Sequence, residues 1–464
     1  MQPSIFNVRV PLDDGDDVFI INTFTDAQVI VGTDVVDLLD RLAGDESPPL
    51  SDDEREAVTT LAGMGFVVEN RDADRRNVEQ FFADVRADRS DLRVTVLTTL
   101  QCNFACDYCI QGDHGDYNKH AVKMSLDTAV RVVDWVEARL DAVRPRKFGL
   151  TFFGGEPLLN LPVMYYLAER LSESCRVRDI EPRFGIITNG LHLSTALVDR
   201  LKRSGPVSVK VTLDGDRATH DRMRPLRGGQ PTFDRIVENL RAVADRCTIS
   251  IGGNFDESSV DSYPDLLAFL REQDFADKLA RVAFKPIIRS TQPTQPKGFI
   301  PLTPVSTAGA ALNGGCMTSA GSGVCDSSWV LDSHMATLRE ETKEHGFQTM
   351  DGVHMGPCEI HKDNAHTIGP DGSLYACPGF ATNAQASTGH IDGHADIAHS
   401  RARERFERLA AWKECQDCAF IPVCAGGCSV ASDVQLGDMN RPNCHKVSFE
   451  AGVVSLAREA ATRR

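Results

Sequence analysis

The sequence predicts an α/β protein. A partial (β/α)6, TIM-like barrel is expected over residues 91–289. It follows a small N-terminal winged-helix-like α+β domain and precedes a cysteine-rich C-terminal domain. Three observations predict this. Apolar runs alternate with amphipathic stretches from residue 91 to residue 289, the pattern of a parallel sheet. The first 70 residues read as strands, two helices and a returning strand. Nine of the fourteen cysteines lie beyond residue 315.

Within residues 1–70, strands are expected at 18–21 and 28–31. Val35, Val36, Leu38, Leu39 and Leu42 follow helical spacing. Ser51-Asp52-Asp53-Glu54 has the form of a capping box and opens a second helix. Residues 65–69 read as the closing strand, and 71–90 as a charged helical linker. In the barrel, strands are expected at 93–98, 147–153, 183–188, 207–213, 248–251 and 281–287. The helices between them fall at 126–140, 162–172, 194–204, 233–244 and 263–272. Residues 290–357 read as a Pro-, Gly-, Ser- and Thr-rich loop followed by a helix, and 358–464 as the cysteine-rich domain.

The chain has 464 residues, 42% hydrophobic and 25% charged, as expected of a soluble globular protein of two to four domains. A net charge of −16 argues against a nucleic-acid partner. The first thirty residues do not read as a signal peptide. No apolar run approaches the roughly 20 residues of a membrane helix. A cytoplasmic protein with no membrane partner is therefore expected. In such a compartment clustered cysteines point to metal rather than to disulfides.

Cys102, Cys106 and Cys109 stand in C-x3-C-x2-C spacing directly after the first barrel strand. Three thiolates can hold three irons of a 4Fe–4S cube and leave the fourth open to a small chelating molecule. A zinc knot or a chance grouping is the alternative. Gly154-Gly155-Glu156-Pro157 follows the second strand. Its paired glycines would let a ligand approach the backbone, and Pro157 would open the next helix. Both segments leave strand carboxyl ends, so both belong to one barrel face.

Together these segments resemble the radical S-adenosylmethionine (SAM) superfamily, with Tyr108 as the aromatic before the last cysteine. The resemblance implies that SAM chelates the open iron and that residues 154–156 hold its amino group. One electron would then cleave it, and the 5′-deoxyadenosyl radical would abstract a substrate hydrogen. Thr188 and Asn189 resemble the family segment near the cofactor ribose. Thr212-Leu213-Asp214-Gly215 resembles its SLDG segment, with Thr212 replacing serine. Arg224, in preference to Arg222, is the implied partner of the cofactor carboxylate, which an arginine can grip bidentately.

Cys358, Gly372, Cys377, Cys415, Cys418, Cys424, Cys428 and Cys444 resemble the SPASM domain. That resemblance implies two auxiliary 4Fe–4S clusters, three cubes in all. The nearer would use Cys358, Cys377 and Cys428; the farther Cys415, Cys418, Cys424 and Cys444. The nearer lacks one ligand, which Cys325 or Cys316 would supply unless the iron stays open. Cys175 and Cys247 read as core residues. The implied function is a maturase that modifies a ribosomally made peptide or protein, by a thioether or carbon–carbon crosslink or a related oxidation. Residues 1–70 would bind the precursor's leader. An anaerobic sulfatase-maturating enzyme that forms formylglycine is the alternative, and a non-catalytic iron–sulfur scaffold is the alternative of another class. Beyond the precursor, the implied partner is a reducing donor such as flavodoxin or ferredoxin.

Overall fold

Five short strands and two helices build the N-terminal unit: β1 (Gln2–Pro3), β2 (Asn7–Pro11), β3 (Val18–Asn22), β4 (Gln28–Val31) and β5 (Val67–Val68). The computed structural model describes residues 1–12, 15–44, 49–111, 121–288, 327–350, 353 and 356–463. Cys316 and Cys325 lie outside the described residues. β2, β3 and β4 form an antiparallel meander with β3 in the centre, and β1 pairs with β5. Helix Asp52–Gly63 starts at Ser51, whose side chain accepts from the Glu54 N–H while the Glu54 carboxylate accepts from the Ser51 N–H. Leu38, Leu39, Leu42, Val58, Leu61 and Phe66 bury the inner faces of the two helices.

Three expectations change here. β1 and β2 come in addition to the expected strands: β1 is only two residues long, and β2 has only Val8 and Val10 as its alternating pair before Pro11. The closing strand shrinks from 65–69 to Val67–Val68. Residues 71–90 are helical as expected, over Arg71–Ala87, but the helix packs into a core instead of lying as a solvated connector. It buries Val78 and Phe82, and the Phe82 ring stacks on Trp412 at 4.7 Å between centroids. Phe19 and Ile21 of β3 likewise pack against Phe420, Val453 and Ala457. The N-terminal unit therefore shares two apolar cores with the cysteine-rich end.

The barrel follows as β6 (Asp91–Thr99), β7 (Lys147–Gly154), β8 (Glu181–Thr188), β9 (Val207–Thr212), β10 (Thr248–Phe255) and β11 (Leu279–Pro286). All five neighbouring pairs are parallel. The sheet is open rather than closed. Alternate residues such as Phe148, Leu150, Phe152, Val209, Val211, Ile249 and Ile251 are buried beneath the flanking helices. Each such side chain contributes about 1.5–3 kcal/mol. Cys175 is buried in this core, with Cys247 packed at its margin. β10 runs four residues past its expected end, through Gly252 and Gly253 to Phe255.

The cysteine-rich end joins the same sheet. β12 (Ala365–Ile368) pairs in parallel with β6, Ala365 opposite Arg93, and β13 (Ser373–Tyr375) and β14 (Gly389–His390) continue outward. Helix Ser327–Glu344 covers the other end of the sheet against helix Lys446–Thr462, where Arg339 donates to the Ser448 carbonyl at 3.1 Å. Among the described residues, no helix is long and apolar enough to cross a membrane.

Three histidines couple this packing to pH. Burial pushes the imidazoles of His361 and His366 down to about 4, and that of His220 down as well. In the unfolded chain each protonates near pH 6.5. Their contribution is complete above that value and is lost as pH falls towards about 4. Thermal unfolding midpoints should therefore drop between about pH 6.5 and 4.5, and more shallowly in the His361→Gln/His366→Phe variant. Parallel curves for variant and parent would count against this origin of acid sensitivity.

Candidate active site at the barrel mouth

The loop after β6 carries Cys102, Cys106 and Cys109 and is fixed from two sides. The Ala105 N–H donates to the Pro225 carbonyl at 2.9 Å, and the Arg227 N–H to the Asn103 carbonyl at 3.0 Å. Arg227 Nε donates to the Cys102 carbonyl at 2.8 Å. Phe104 is buried beneath the loop. The Cys102 thiol lies within electrostatic reach of Cys106 and Cys109, and burial pushes it up to about 12. Burial also raises Cys106, against the opposing charge of Arg224.

The end of β7 lies directly on this loop. The Gly155 N–H donates to the Thr99 carbonyl, and the Glu156 N–H to the Gln101 carbonyl, each at 2.8 Å. A Cβ on Gly155 would stand 2.3 Å from the Gln101 oxygen, and one on Gly154, at φ +124°, 2.3 Å from the Thr99 oxygen. The paired glycines thus admit the chain's own backbone, where the sequence suggested a ligand. Glu156 is wholly buried, and its carboxylate accepts from the Leu158 N–H at 3.0 Å, the Thr188 hydroxyl at 2.7 Å and the Asn189 N–H at 2.8 Å. Burial raises its pKa, and these hydrogen bonds oppose the rise. Pro157 opens the short turn Pro157–Asn160. Asn189 Nδ2 closes the circuit on Asn103 Oδ1 at 2.8 Å.

A second network joins the later strand ends. Thr212 ends β9, and Asp214, two residues on, is fully buried. Its carboxylate accepts from the Asn254 N–H at 2.6 Å, from Arg224 at 3.3 Å and from the Tyr108 hydroxyl. Arg224 also donates to the Tyr108 oxygen. Arg222 is exposed, whereas Arg224 turns inward with its side chain 11% exposed. The segment from Asp214 to Arg224 is held by His220, whose Nδ1 accepts from the Asp214 N–H at 3.2 Å and whose carbonyl accepts from the Arg224 N–H at 2.7 Å. Burial raises the Tyr108 phenol, and Arg224 opposes that rise.

Seven other described cysteines form two further groups. Cys377 is within electrostatic reach of Cys358 and Cys428, and burial pushes it up to about 12. Cys424 is within reach of Cys415, Cys418 and Cys444. Two glycines draw the latter group together. A Cβ on Gly427, at φ +94°, would fall 1.9 Å from the Asn443 oxygen, and the Asn443 N–H donates to the Gly426 carbonyl at 2.8 Å. The Cys377 turn also touches the first cysteine loop, because Gln111 Nε2 donates to the Pro378 carbonyl at 3.2 Å.

Residues 96–256 match the model of the Radical SAM superfamily. The chain carries a radical SAM domain. A serine-type anaerobic sulfatase-maturating enzyme of Klebsiella aerogenes is 25% identical over 349 residues, covering 70% of this chain and 76% of that protein. GTP 3′,8-cyclase 1 of Mycobacterium tuberculosis is 28% identical over 193 residues, 39% of this chain and 48% of the cyclase. The chain thus spans about half the cyclase's length. The solved structure of native anSMEcpe with bound AdoMet has a TM-score of 0.58 at 16% identity, covering 80% of this chain and 99% of that one. That likeness is one of fold.

Within the radical SAM domain, sequence reasoning missed Asn103, His220 and Asn254. Asn254 was hidden because Gly252-Gly253 reads as a strand end. The run of small residues followed by Asn at one strand register was the available signal. The backbone contact at Gly155 leaves no room for a methyl group. Gly155→Ala should destabilise the fold by at least ~2 kcal/mol and raise the reactivity of Cys102 and Cys106 towards a thiol reagent. Denaturation midpoints and labelling rates check it, and an unchanged pair of values would contradict the packing argument.

Proposed function

We propose that this chain is a radical SAM maturase that oxidatively modifies a ribosomally made peptide or protein. The observation that carries the reading is three separate thiol groups in one chain, two of them at the open end of one barrel. Among the described residues, no three His, Cys, Asp or Glu side chains converge tightly enough for a single metal ion. A four-iron cube spaces its thiolates more widely, since each sulfur binds a different iron. Cys102, Cys106 and Cys109 would hold the first cube. Cys358, Cys377 and Cys428 would hold the second, and Cys415, Cys418, Cys424 and Cys444 the third.

The mouth also fits a cofactor carboxylate. Arg224 Nε and Asn103 Nδ2 are buried donors with no partner among the described residues. Arg224 would grip the carboxylate of SAM beside the Tyr108–Asp214 pair. Glu156, whose oxygens already accept three hydrogen bonds, would position its loop, leaving the cofactor's amino group to backbone carbonyls. Thr188, Asn189 and Thr212 line the strand ends where the rest of the cofactor would lie. With SAM bound and the first cluster reduced, the pair would supply one-electron cleavage of SAM, releasing methionine, and with it the capacity to take a hydrogen atom from the substrate. A flavodoxin- or ferredoxin-like donor would provide the electron.

Residues 1–70 would receive the precursor's leader by strand addition. β3 is paired on both sides, so residues 18–21 offer no edge and β4 is the strand that would take it. A second reading, sulfatase maturation, draws on the Klebsiella relative, which aligns with 70% of this chain.

Anaerobically reconstituted protein should hold about twelve irons, and Cys102→Ala/Cys106→Ala/Cys109→Ala about eight. Dithionite-reduced protein should convert SAM to 5′-deoxyadenosine, and Cys106→Ala should not. Saturation near four irons, or cleavage that survives Cys106→Ala, would sink the proposal. A serine- or cysteine-bearing sulfatase peptide that gains hydrazide reactivity would favour the second reading.

A further inference from the structure

The lumen of the barrel carries cations that nothing described so far uses. In β11, Val282 and Phe284 face the helices; the Phe284 ring meets that of buried Tyr263 at 4.6 Å between centroids. Alternation then turns Arg281 and Lys285 to the opposite, lumen face. In β9, Val209 and Val211 are buried in the outer core, so Lys210 also faces the lumen. Register fixes their depth. Lys210 stands beside Ser250, which stands beside Arg281, while Lys285 stands beside Asn254. Gly252 clears the path of the Lys210 stem, since a Cβ there would lie 2.5 Å from Lys210 Cε.

Lys210 and Lys285 keep accessible surface, yet Lys210 is desolvated, as the wall of a concave lumen is. Desolvation pushes its ammonium down, and the charges it feels are those of Lys285 and Arg281. Among the described residues, no carboxylate forms an ion pair with either lysine. Like charges within reach of one another on one wall repel, and a bound carboxylate would relieve that repulsion. Lys285 also lies between the two halves of the mouth. Its strand neighbour Asn254 donates to Asp214, and its charge reaches Cys377.

We propose that Lys210 and Lys285 form a carboxylate subsite on the barrel lumen that takes an acidic group of the peptide substrate. The inference rests on the peptide-maturase reading above. Lysine suits it, because an ammonium on a flexible stem follows a carboxylate through small shifts of the peptide. An acidic side chain near the modified residue and the peptide's own C-terminus offer the same chemistry. The subsite fixes the distance between that carboxylate and the reacting carbon, and so helps choose the residue attacked.

The test uses the full chain, reconstituted and immobilised, with a pool of hexapeptides. Each has a central Asp or Asn, random residues elsewhere, and a free or amidated C-terminus. Bound members are read by mass spectrometry. Carboxylate-bearing members should be enriched about tenfold over their amide counterparts, and comparison of the arms tells side chain from terminus. Lys210→Met/Lys285→Met should erase the preference, and Lys210→Arg/Lys285→Arg should keep it, which separates loss of charge from loss of fold. Equal capture of acid and amide forms, a preference that survives the double Met change, or retention of inorganic triphosphate in place of either peptide form would overturn the subsite. Binding needs no SAM cleavage. A failure to form 5′-deoxyadenosine therefore refutes the maturase reading without touching this result.

Discussion

The mouth of the barrel depends on one contact without side chains, the backbone of residues 154–156 laid against that of residues 99–101. Two hydrogen bonds at 2.8 Å hold it, and only glycine at 154 and 155 permits the approach. The contact sets where Glu156 points. Glu156 in turn captures Thr188 and Asn189, and Asn189 returns to Asn103 in the cysteine loop. The ends of β6, β7 and β8 are thereby closed into a ring of mutual restraints. Such preorganisation lets a loop keep its thiols in place at little further entropic cost.

The later strand ends are tied differently, through one buried ion pair. Asp214 and Arg224 would each be expensive to bury alone. Together with Tyr108 and the Asn254 N–H they are largely satisfied. Tyr108 belongs to the cysteine loop, so this network meets the first ring on the same eight residues. Arg224 also favours the thiolate form of Cys106, which counters the burial that disfavours it. Structural support and electrostatic tuning thus fall on one guanidinium.

Much of this architecture was legible because a parallel sheet joined by crossover helices writes itself as strand-like apolar runs alternating with amphipathic stretches. The capping box at Ser51 follows a local rule that a sequence reader can apply, whereas Arg224 was singled out by the resemblance alone. What escaped did so for physical reasons. The end of β10 contains two glycines, a usual mark of a strand's end, yet here they make way for Lys210 and for the Leu213 carbonyl. β12 to β14 are two to four residues long and owe their existence to β6 rather than to their own propensity. The helix Arg71–Ala87 looks like a solvated connector because its charged face outweighs the few apolar residues it buries. The meeting of Cys424 with Cys444 rests on Gly426 and Gly427, whose role appears only once both backbones are seen together.

The pairing of β12 with β6 has a consequence for biogenesis. Arg93 on β6 meets Glu359, just before β12, across 266 residues of sequence. During synthesis, the first strand of the barrel therefore waits with an unpaired edge until Ala365–Ile368 of the 464 residues has emerged. An apolar strand in that state is a template for association with other nascent chains. The cysteine-rich end thus acts, in topological terms, as the late cover of an early strand. Its delivery makes folding of the barrel sheet a non-local and correspondingly slow event.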